Sequence, residues 1–472
     1  MIYPTIAAIA TPLGKGGIGI VKISGRKSLS VARKLFYTSK KGRTNKISPS
    51  DLVSKRVFCS HYMYYGFILD PKKKQIIDDV LILYMKAPNS YTREDVVEIH
   101  THGGVAAISS VIKLALDCGV LLAQPGEFTK RAFLNGRIDL TQAEAVIDII
   151  DAKTSKALSI AAAQLTGTLK NRINQTRDKI ISILSEVEAE IDFPDDDARN
   201  FDIPKHINTI EGLISNELAD LLESYKNARF YREGIVMAIV GRPNVGKSSL
   251  LNRLVEKDRA IVTSVPGTTR DLIEVPLSIH GISVILADTA GIHDSKDPVE
   301  IIGIDKTKKY LTDTDIILFV IDSSSSLLQD DLMIYESIKD RKHIIVINKK
   351  DLRKKGIVAE FSQILNSSPF IEISALYNKG ISELKNIIAK EITASLDKDV
   401  ENLVVPNIRQ KKEVEKALLA LRKAVLELKN KFYLDAIAID LKEAVDSLGN
   451  ITGVTLKEDI LDKVFSRFCI GK

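Results

Sequence analysis

The octapeptide Gly-Arg-Pro-Asn-Val-Gly-Lys-Ser at residues 241–248 constrains the fold more than any other feature of the sequence. It follows an apolar run at residues 235–240, leads into a helical pattern at residues 248–254, and matches the phosphate-loop pattern. Between a strand and a helix N-terminus, its glycines let successive backbone N–H groups face phosphate oxygens. We therefore predict that Lys247 bridges the β- and γ-phosphates of a nucleotide and that Ser248 ligates Mg²⁺. Taken alone, the segment could instead be a glycine-rich turn that matches the pattern by chance.

A second motif, Asp-Thr-Ala-Gly at residues 288–291, follows the apolar run at residues 284–287. Asp288 is placed to orient Mg²⁺ through its water shell, and the Gly291 N–H is placed to sense the γ-phosphate. The next residue is Ile292, so the Ras-like glutamine that positions the attacking water is absent from its usual place. Another residue must therefore orient this water.

Two further motifs indicate that the base is guanine. Asn-Lys-Lys-Asp at residues 348–351 follows an apolar run, and the Asp351 carboxylate can accept from both the N1–H and the N2 amine of guanine. Adenine lacks this pair of donors. Ser-Ala-Leu at residues 374–376 follows another apolar run and would support the base with backbone N–H groups. Four motifs in this order, each after a predicted strand, indicate a GTPase on a mostly parallel sheet.

The segment between the first two motifs contains Gly-Thr-Thr-Arg-Asp at residues 267–271. Thr269 is suited to close on Mg²⁺ when the γ-phosphate is present. Arg270 has two interpretations, which are an internal arginine finger and a structural salt bridge to Asp271 or Glu274. The sequence leaves this choice open.

The chain of 472 residues is too long for one hydrophobic core, and its length suggests about three domains. Residues 1–137 mix strand and helix patterns, and residues 233–393 form the α/β segment with the nucleotide motifs. Apolar residues at helical spacing fill residues 138–232 and 394–472. Because long amphipathic helices need partners, we predict an α/β plus α fold in which one helical-bundle domain is interrupted by the inserted α/β domain.

The composition is that of a mildly basic globular protein. The net charge of +6 and the pI near 8.8 permit contact with RNA without requiring it. The three cysteines, Cys59, Cys118 and Cys469, are too widely spaced for a disulfide framework or a zinc site, which favours a cytoplasmic protein. The apolar stretch at residues 5–11 is too short for a signal peptide or a membrane span, and it predicts a buried strand.

Residues 241–271 and the C-terminal Phe-Cys-Ile-Gly-Lys at residues 468–472 resemble the family of tRNA modification GTPases called MnmE or TrmE. The resemblance covers essentially the whole chain, and the Cys-Ile-Gly-Lys tail is its most specific motif. It implies an N-terminal α/β folate-binding and dimerisation domain, a helical domain and an inserted Ras-like P-loop G domain. Further matching motifs occupy residues 10–12, 16–20, 23–25, 88–92, 94–95, 102–104, 125–128, 131–135, 142–145 and 191–194.

The resemblance also implies partners and a reaction. Proteins of this family form homodimers and a heterotetramer with an FAD-binding protein called MnmG or GidA, which uses NADH. Together they add an aminomethyl or carboxymethylaminomethyl group at C5 of the wobble uridine, U34, of certain tRNAs. The carbon comes from 5-formyl- or 5,10-methylene-tetrahydrofolate. The implied partners thus include tRNA and exclude a membrane.

In proteins of this family the G domains pair across the dimer when GTP and K⁺ are bound. The resemblance assigns K⁺ to the Asn244 side chain, the Thr263 and Val265 backbones, and Thr268. A cation there neutralises charge that develops between the β- and γ-phosphates, which is the task of an arginine finger elsewhere. Glu300 matches the carboxylate that orients the water, and its alternative is a solvated acid in a loop.

The motifs and the resemblance together assign the nucleotide site. Ser248 and Thr269 are the predicted Mg²⁺ ligands. The predicted GTP-binding residues are Asn244, Val245, Gly246, Lys247, Ser248, Ser249, Thr263, Ser264, Val265, Pro266, Gly267, Thr268, Thr269, Asp288, Thr289, Ala290, Gly291, Asn348, Lys349, Asp351, Ser374, Ala375 and Leu376.

The resemblance places the folate at Lys22, Glu98, Arg137 and the terminal Lys472. The three cations suit the glutamate tail and the pterin oxygens, whereas Glu98 suits the pterin amine and N–H donors. Taken singly, Lys22 or Arg137 would be read as half of a surface salt bridge.

Cys469 lies in the C-terminal motif and has two interpretations. An exposed thiol can act as a nucleophile or general acid if its pKa is lowered, and this catalytic role is the one we favour. The alternative is a buried apolar contact beside Phe468. One departure from the family pattern is His293, which stands where an arginine is expected.

A second function is also compatible with the motifs, namely a ribosome-assembly GTPase that acts as an RNA-binding regulator. Such proteins often carry a KH domain with a Gly-x-x-Gly clamp. In the last eighty residues Gly449 and Gly453 are too far apart for this clamp. The Cys-Ile-Gly-Lys tail favours tRNA modification.

Overall fold

A computed structural model describes residues 3–39, 48–193, 202–256, 275–280, 282–287, 314–352, 368–393, 404–430, 433–456 and 458–472. The chain divides into two compact units. The first comprises Met1–Ile147, Lys170–Arg177 and Val445–Lys472, and the second comprises Asp148–Leu169 and Asp178–Ala444. The segments that we predicted as one helical domain are therefore shared between the two units. The predicted domain limits at residues 137, 232 and 393 stay predictions.

The first unit contains an eight-stranded sheet in the order β4-β3-β5-β6-β7-β2-β1-β8. Strand β8 pairs in parallel with β1, and the other neighbours pair antiparallel. The strands are β1 (Ile6–Ile9), β2 (Gly16–Ser24), β3 (Phe36–Ser39), β4 (Leu52–Ser54), β5 (Tyr62–Asp70), β6 (Gln75–Met85), β7 (Val96–Gly103) and β8 (Leu121–Leu122). The helices that lie between or directly after these strands in the chain are α1 (Ser28–Leu35), α2 (Val105–Asp117) and α3 (Glu127–Leu134).

Alternation along the central strands gives this sheet two different faces. Val21 and Ile23 of β2 and Val97 and Ile99 of β7 are buried in one core with side chains of α1 and α2. The residues between them project to the opposite face. This alternation is what brings polar side chains of β2 and β7 together away from the helices.

Helices dominate the chain between the two sheets. Within the predicted helical region at residues 138–232, the helices are interrupted at Gly167, whose φ of 86° is left-handed. A residue in this conformation ends a helix because it turns the chain out of the right-handed path. The elements are α4 (Leu140–Asp151), α5 (Ser155–Leu165), α6 (Thr168–Asp192), α7 (Ile203–Gly212), a π-helical stretch (Leu213–Leu218) and α8 (Ala219–Glu233).

The second unit contains a six-stranded sheet in the order β10-β11-β9-β12-β13-β14. Only β10 is antiparallel to its neighbour among these described strands, so the predicted parallel sheet is confirmed. Its elements are β9 (Ile235–Val240), α9 (Lys247–Glu256), β10 (Val275–Ile279), β11 (Ile282–Ala287), β12 (Ile316–Asp322), α10 (Gln329–Ile338), β13 (His343–Asn348), β14 (Phe370–Glu372) and α11 (Ile381–Thr393).

Three helices follow this sheet in the chain: α12 (Ile408–Lys429), α13 (Leu434–Thr452) and α14 (Glu458–Phe465). Asn407 caps α12 by accepting from the Gln410 N–H at 2.8 Å, and the Gln410 side chain accepts from the Asn407 N–H in return. Within the described ranges, no helix is both long enough and apolar enough to cross a membrane. The predicted α/β plus α fold class is confirmed.

Candidate nucleotide site and a second polar site

The phosphate loop has the predicted strand–turn–helix context, because residues 241–246 join β9 to α9. Val245 is fully buried in the core beside the sheet, and this packing fixes the position of the loop. Lys247 turns back over the loop, and its Nζ donates to the Gly241 and Arg242 carbonyl oxygens at 2.8 and 2.9 Å. Ser248 and Ser249 are both exposed in the first turn of α9. The loop therefore presents an ammonium group, hydroxyl groups and a helix N-terminus on one side of the sheet edge.

Gly246 shows why this loop requires glycine at that position. Its φ is +95°, and a Cβ built on it would collide with the Asn348 Nδ2 atom. Side chains other than hydrogen are disfavoured by this backbone conformation in any surroundings. The loop and the end of β13 can thus approach each other only because this residue has no side chain.

Asn348 joins the phosphate loop to the base-recognition segments. Its Nδ2 donates to the Val245 carbonyl oxygen at 2.8 Å, and its Oδ1 accepts from the Ala375 N–H at 3.0 Å. Its side chain is buried, so both amide groups need these partners. Three segments far apart in sequence are therefore held in fixed relation by one amide. The sequence placed Asn348 in the nucleotide site, and this bridging role was missed.

Asp351 is exposed beside the Ser374 turn. The Ser374 hydroxyl donates to Asp351 Oδ1 at 2.5 Å, which orients the carboxylate. Leu376 is also exposed, so both segments are accessible to a ligand from solvent. This arrangement fits the predicted guanine recognition.

Two supporting contacts were not predicted. Arg253 of α9 donates from Nε to the Ala375 carbonyl oxygen and from Nη2 to that of Leu376, both at 3.0 Å. Lys349 Nζ donates to Asp322 Oδ2 at 2.7 Å. Burial alone would raise the pKa of Asp322, but hydrogen bonds from Lys349 and Ser324 outweigh it and hold the pKa below its ordinary value. In the sequence, the only sign of these contacts is that Arg253, Lys349 and Asp322 are charged. Charged residues are too common for this to predict a contact from one sequence.

A large part of the predicted nucleotide site lies outside the described residues. This applies to Ile292 and His293, and to Arg270 with both of its proposed salt-bridge partners. The predicted site residues concerned are Thr263, Ser264, Val265, Pro266, Gly267, Thr268, Thr269, Asp288, Thr289, Ala290, Gly291 and Glu300.

The first unit brings the predicted folate residues together. Lys22 and Glu98 face each other across β2 and β7, and Lys22 Nζ lies 3.4 Å from Glu98 Oε1. Both side chains are mostly buried, with 14% and 19% of their surfaces exposed. The reading of Lys22 as half of a surface salt bridge is therefore wrong, because surface pairs are solvated on most sides. This is a partly desolvated ion pair.

Burial and neighbouring charges set the protonation of this pair. Burial is the main reason that the pKa of Lys22 lies below its ordinary value. The nearby cations Lys472 and Arg137 lower this pKa further, whereas Glu98 raises it. The pKa of Glu98 is lowered chiefly by His100, whose Nε2 lies 3.5 Å from Glu98 Oε2, and then by Lys22. The carboxylate thus stays ionised within this basic cluster.

Aromatic rings complete this second site. Lys22 Nζ lies 5.2 Å from the centroid of the Tyr91 ring and 5.6 Å from that of Phe128. The Arg137 guanidinium lies 4.6 Å from the Tyr91 ring, and Arg137 Nη1 donates to the Tyr91 carbonyl oxygen at 3.0 Å. Tyr91 and Phe128 lie in motifs that carry the family resemblance, but their part in the site was not predicted. Charged groups and flat rings in one place fit a conjugated heterocycle with polar edges.

The C-terminal tail packs against the same unit. Gly471 has a φ of +93°, and a Cβ on it would lie 2.5 Å from the Ile9 carbonyl oxygen. Phe468 is buried, and the Gly126 N–H donates to the Cys469 carbonyl oxygen at 3.5 Å. Cys469 itself is exposed, so its interpretation as a buried apolar contact is wrong. Phe468 makes the apolar contact, and the thiol remains accessible.

Comparison with known proteins covers both units. Residues 5–137 match the family described as GTP-binding protein TrmE N-terminus, and residues 140–469 match the MnmE helical domain. The tRNA modification GTPase MnmE of Alkaliphilus oremlandii (strain OhILAs) is 42% identical over 472 residues, which is 100% of both chains. The protein of the same name from Carboxydothermus hydrogenoformans is 44% identical over 473 residues, again 100% of both chains.

A solved structure, that of the G domain of the T. maritima FeoB iron transporter, is 27% identical to this chain. The match covers 33% of this chain and 98% of that one, with a TM-score of 0.26. Structural similarity at this level carries no weight beside the sequence matches. Those matches extend over the full length and include both halves of the chain. The chain belongs to the MnmE family of tRNA modification GTPases.

Proposed function

We propose that this GTP hydrolase acts with an FAD-binding partner of the MnmG type to modify tRNA at C5 of the wobble uridine. The added group is aminomethyl or carboxymethylaminomethyl, and its carbon comes from a tetrahydrofolate. The observation that carries the proposal is the cluster of Lys22, Glu98, Arg137 and Tyr91 in the part of the chain that matches the TrmE N-terminus. A GTPase that acts only as a timer has no need of such a site. We further propose a cytoplasmic homodimer that joins this partner in a heterotetramer.

The described residues fit GTP with Mg²⁺. The Gly246 backbone, the Lys247 ammonium group and the exposed Ser248 hydroxyl supply the donors and the oxygen ligand that a nucleoside triphosphate and its magnesium ion use. Magnesium bound there would neutralise phosphate charge. The Lys247 ammonium group donates to two loop carbonyl oxygens, and phosphate oxygens of a bound nucleotide would replace these acceptors.

Potassium dependence is the first expected property of the site. Asn244 is exposed in the phosphate loop with a φ of 64°, so its amide oxygen is accessible to a cation. We expect GTP turnover to be much faster in K⁺ than in Na⁺, and Asn244→Ala to abolish the difference by removing a ligand. Steady-state hydrolysis in the two chloride salts at equal ionic strength measures this. The rate of the variant in Na⁺ is the control and should match the unsubstituted protein, whereas equal rates of the unsubstituted protein in both salts would refute K⁺ activation.

Glu300, which lies outside the described residues, is proposed to orient the attacking water in place of the missing glutamine. Glu300→Ala should slow GTP hydrolysis by about 10²- to 10⁴-fold, the usual contribution of a positioned base. The affinity for GDP should hardly change because the carboxylate acts on water. Single-turnover hydrolysis and GDP titration separate the two effects, and a normal hydrolysis rate would reject the assignment.

Tetrahydrofolate binding is expected to depend on the buried ion pair. Glu98→Gln removes the negative charge that would face the pterin donors, and we expect about a tenfold or larger loss of affinity for 5-formyl-tetrahydrofolate, since hydrogen bonds to charged groups contribute about 1.5–3 kcal/mol. Lys72→Ala is the matched control, because Lys72 forms an exposed pair with Asp117 in the same unit. Isothermal titration calorimetry measures both. Equal affinities for Glu98→Gln and the control would exclude Glu98 from the folate site.

Mass spectrometry of tRNA nucleosides tests the function itself. Cells that lack the protein should lose the C5 modification of wobble uridine, and cells with Cys469→Ser should lose it while the purified variant still hydrolyses GTP. This second result follows if the exposed thiol acts as nucleophile or general acid in the modification. If cells that lack the protein kept their wobble-uridine modification but accumulated unassembled ribosomal subunits, the result would favour the ribosome-assembly regulator instead.

A further inference from the structure

At the start of β5 in the first unit, the rings of Tyr62, Tyr64 and Phe58 contact one another in series, and we call them the aromatic ladder. Tyr62, the first residue of β5, has 64% of its surface exposed. Its ring centroid lies 5.6 Å from that of Tyr64, which contacts the buried Phe58 edge-on at 5.4 Å. The Tyr64 hydroxyl accepts from the Cys59 N–H at 2.8 Å. Residues that precede β5 therefore hold Tyr64 in place, and Tyr64 contacts the Tyr62 ring, while most of the Tyr62 surface remains exposed.

Basic residues surround this ladder. Residues 52–69 contain Lys55, Arg56 and His61 and neither aspartate nor glutamate. Lys55 Nζ lies 4.2 Å from the centroid of the Tyr64 ring. Arg56 and His61 are exposed. The segment is thus positively charged as well as aromatic.

Two neighbouring elements add further cations. The Ser54 hydroxyl donates to the carbonyl oxygen of Arg33, an exposed residue in the last turn of α1, at 2.8 Å. The Lys86 N–H donates to the Ser60 hydroxyl oxygen at 2.9 Å, and the Lys86 side chain is exposed. An acid in this part of the unit, Asp95, accepts from the Ala87 N–H at 3.0 Å.

These side chains are available for a partner. In the portion of the chain that the structure describes, no ion pair involves Arg33, Lys55, Arg56 or Lys86. We call the six residues Arg33, Lys55, Arg56, His61, Tyr62 and Lys86 the Tyr62 patch.

We propose that the Tyr62 patch binds a single-stranded loop of tRNA, with one unpaired base stacked on Tyr62 and the backbone phosphates on the surrounding cations. This inference rests on the proposed function, which makes tRNA the substrate. Unpaired bases offer a flat face to aromatic side chains, whereas a duplex hides that face. Several cations that have no acidic partner among the described residues complement the negatively charged backbone of RNA, and the two lysines among them are of a type depleted at protein–protein interfaces.

The test uses the full-length protein and two RNA probes, an anticodon stem–loop and a blunt duplex of equal length. We expect Tyr62→Ala to weaken stem–loop binding about tenfold, which is within the range for one lost base–aromatic stack, and to leave duplex binding unchanged. Tyr62→Phe should bind like the unsubstituted protein because the ring remains. Tyr433→Ala is the matched control, since Tyr433 is 83% exposed in the second unit.

Salt dependence distinguishes the cations from the ring. Replacing Lys55 and Arg56 together by glutamine should reduce the slope of log affinity against log salt by about 1.4, because each phosphate contact to single-stranded RNA contributes about 0.7. Tyr62→Ala should leave that slope unchanged, since stacking releases no counterions. Fluorescence anisotropy at several salt concentrations measures both, and circular dichroism confirms that each variant is folded.

Three results would overturn the assignment in different ways. Equal stem–loop affinity of Tyr62→Ala and Tyr433→Ala would exclude the patch while leaving the proposed function intact. Variants that change self-association in sedimentation but not RNA affinity would make the patch an interface between copies of the chain. If the unsubstituted protein bound neither probe with or without its FAD-dependent partner, direct tRNA contact by this chain would fail as well.

Discussion

Replacing Asp351 by asparagine is expected to lower GTP affinity by about 10²- to 10⁴-fold, because two charge-assisted hydrogen bonds of about 1.5–3 kcal/mol each are lost. The carboxylate is predicted to accept from the N1–H and the N2 amine of guanine, and the Ser374 hydroxyl at 2.5 Å from Oδ1 fixes its orientation. An asparagine has only one acceptor there and turns a donor toward the donors of the base. Xanthine carries a carbonyl group in place of the N2 amine, so the same variant should bind xanthosine nucleotides better than the unsubstituted protein does.

Competition binding with guanosine and xanthosine diphosphates measures this exchange of preference. Asp340→Asn is the matched control, because Asp340 is an exposed aspartate of the same unit away from the base-recognition turn. It should bind both nucleotides like the unsubstituted protein. If Asp351→Asn kept the original affinity for guanosine diphosphate, Asp351 would not be the residue that selects the base.

Replacing Gly246 by alanine is expected to damage both the nucleotide site and the stability of the second unit. The left-handed conformation costs a residue with a Cβ about 1–2 kcal/mol. The new methyl group would also displace the Asn348 amide, and each buried hydrogen-bonding group left without a partner costs about 1–3 kcal/mol. Loss of the Asn348 bridge would disturb the phosphate loop and the base-recognition turn together, so GDP affinity should fall by about a hundredfold or more, equivalent to roughly 3 kcal/mol.

Calorimetric unfolding in the absence of nucleotide measures the loss of stability. A separate titration with GDP measures the loss of affinity. Gly212→Ala is the matched control: Gly212 lies in α7 of the same unit, and a Cβ there would meet no atom within 4 Å. Alanine is the better helix former by up to about 1 kcal/mol, so this control should be as stable as the unsubstituted protein or more stable. Unchanged GDP affinity in Gly246→Ala would show that the Gly246–Asn348 contact is not needed.

The elements that were predicted well are those with a strong local pattern. The buried strands β9, β12 and β13 appear as apolar runs, and each nucleotide motif follows or ends such a run. By contrast, β3, β4, β5, β8 and β10 were not predicted. Strand β5 begins Tyr-Met-Tyr-Tyr-Gly, where half-exposed aromatic residues obscure the alternation of a strand. Pairing with neighbouring strands stabilises such segments, and a single sequence does not reveal that pairing.

The second polar site shows the same division. Lys22 and Glu98 were named through a family resemblance, and neither residue is distinctive by itself. The pairing of β2 with β7 sets them opposite each other, and partial burial turns an ordinary ion pair into a site with a shifted pKa on both members. Tyr91 and Phe128 join them from separate segments, and periodicity gives no hint of this.

The sequence by itself determined the order of strand, phosphate loop and helix, and it predicted Asp351 as the residue that selects guanine, because both depend on residues adjacent in the chain. Only the tertiary structure decided that Asn348 braces the phosphate loop and that Gly471 seats the C-terminal tail against Ile9. These contacts join residues more than a hundred positions apart. They form because the sheet registers and the packing of the buried cores bring distant segments together, and no local pattern encodes those distances.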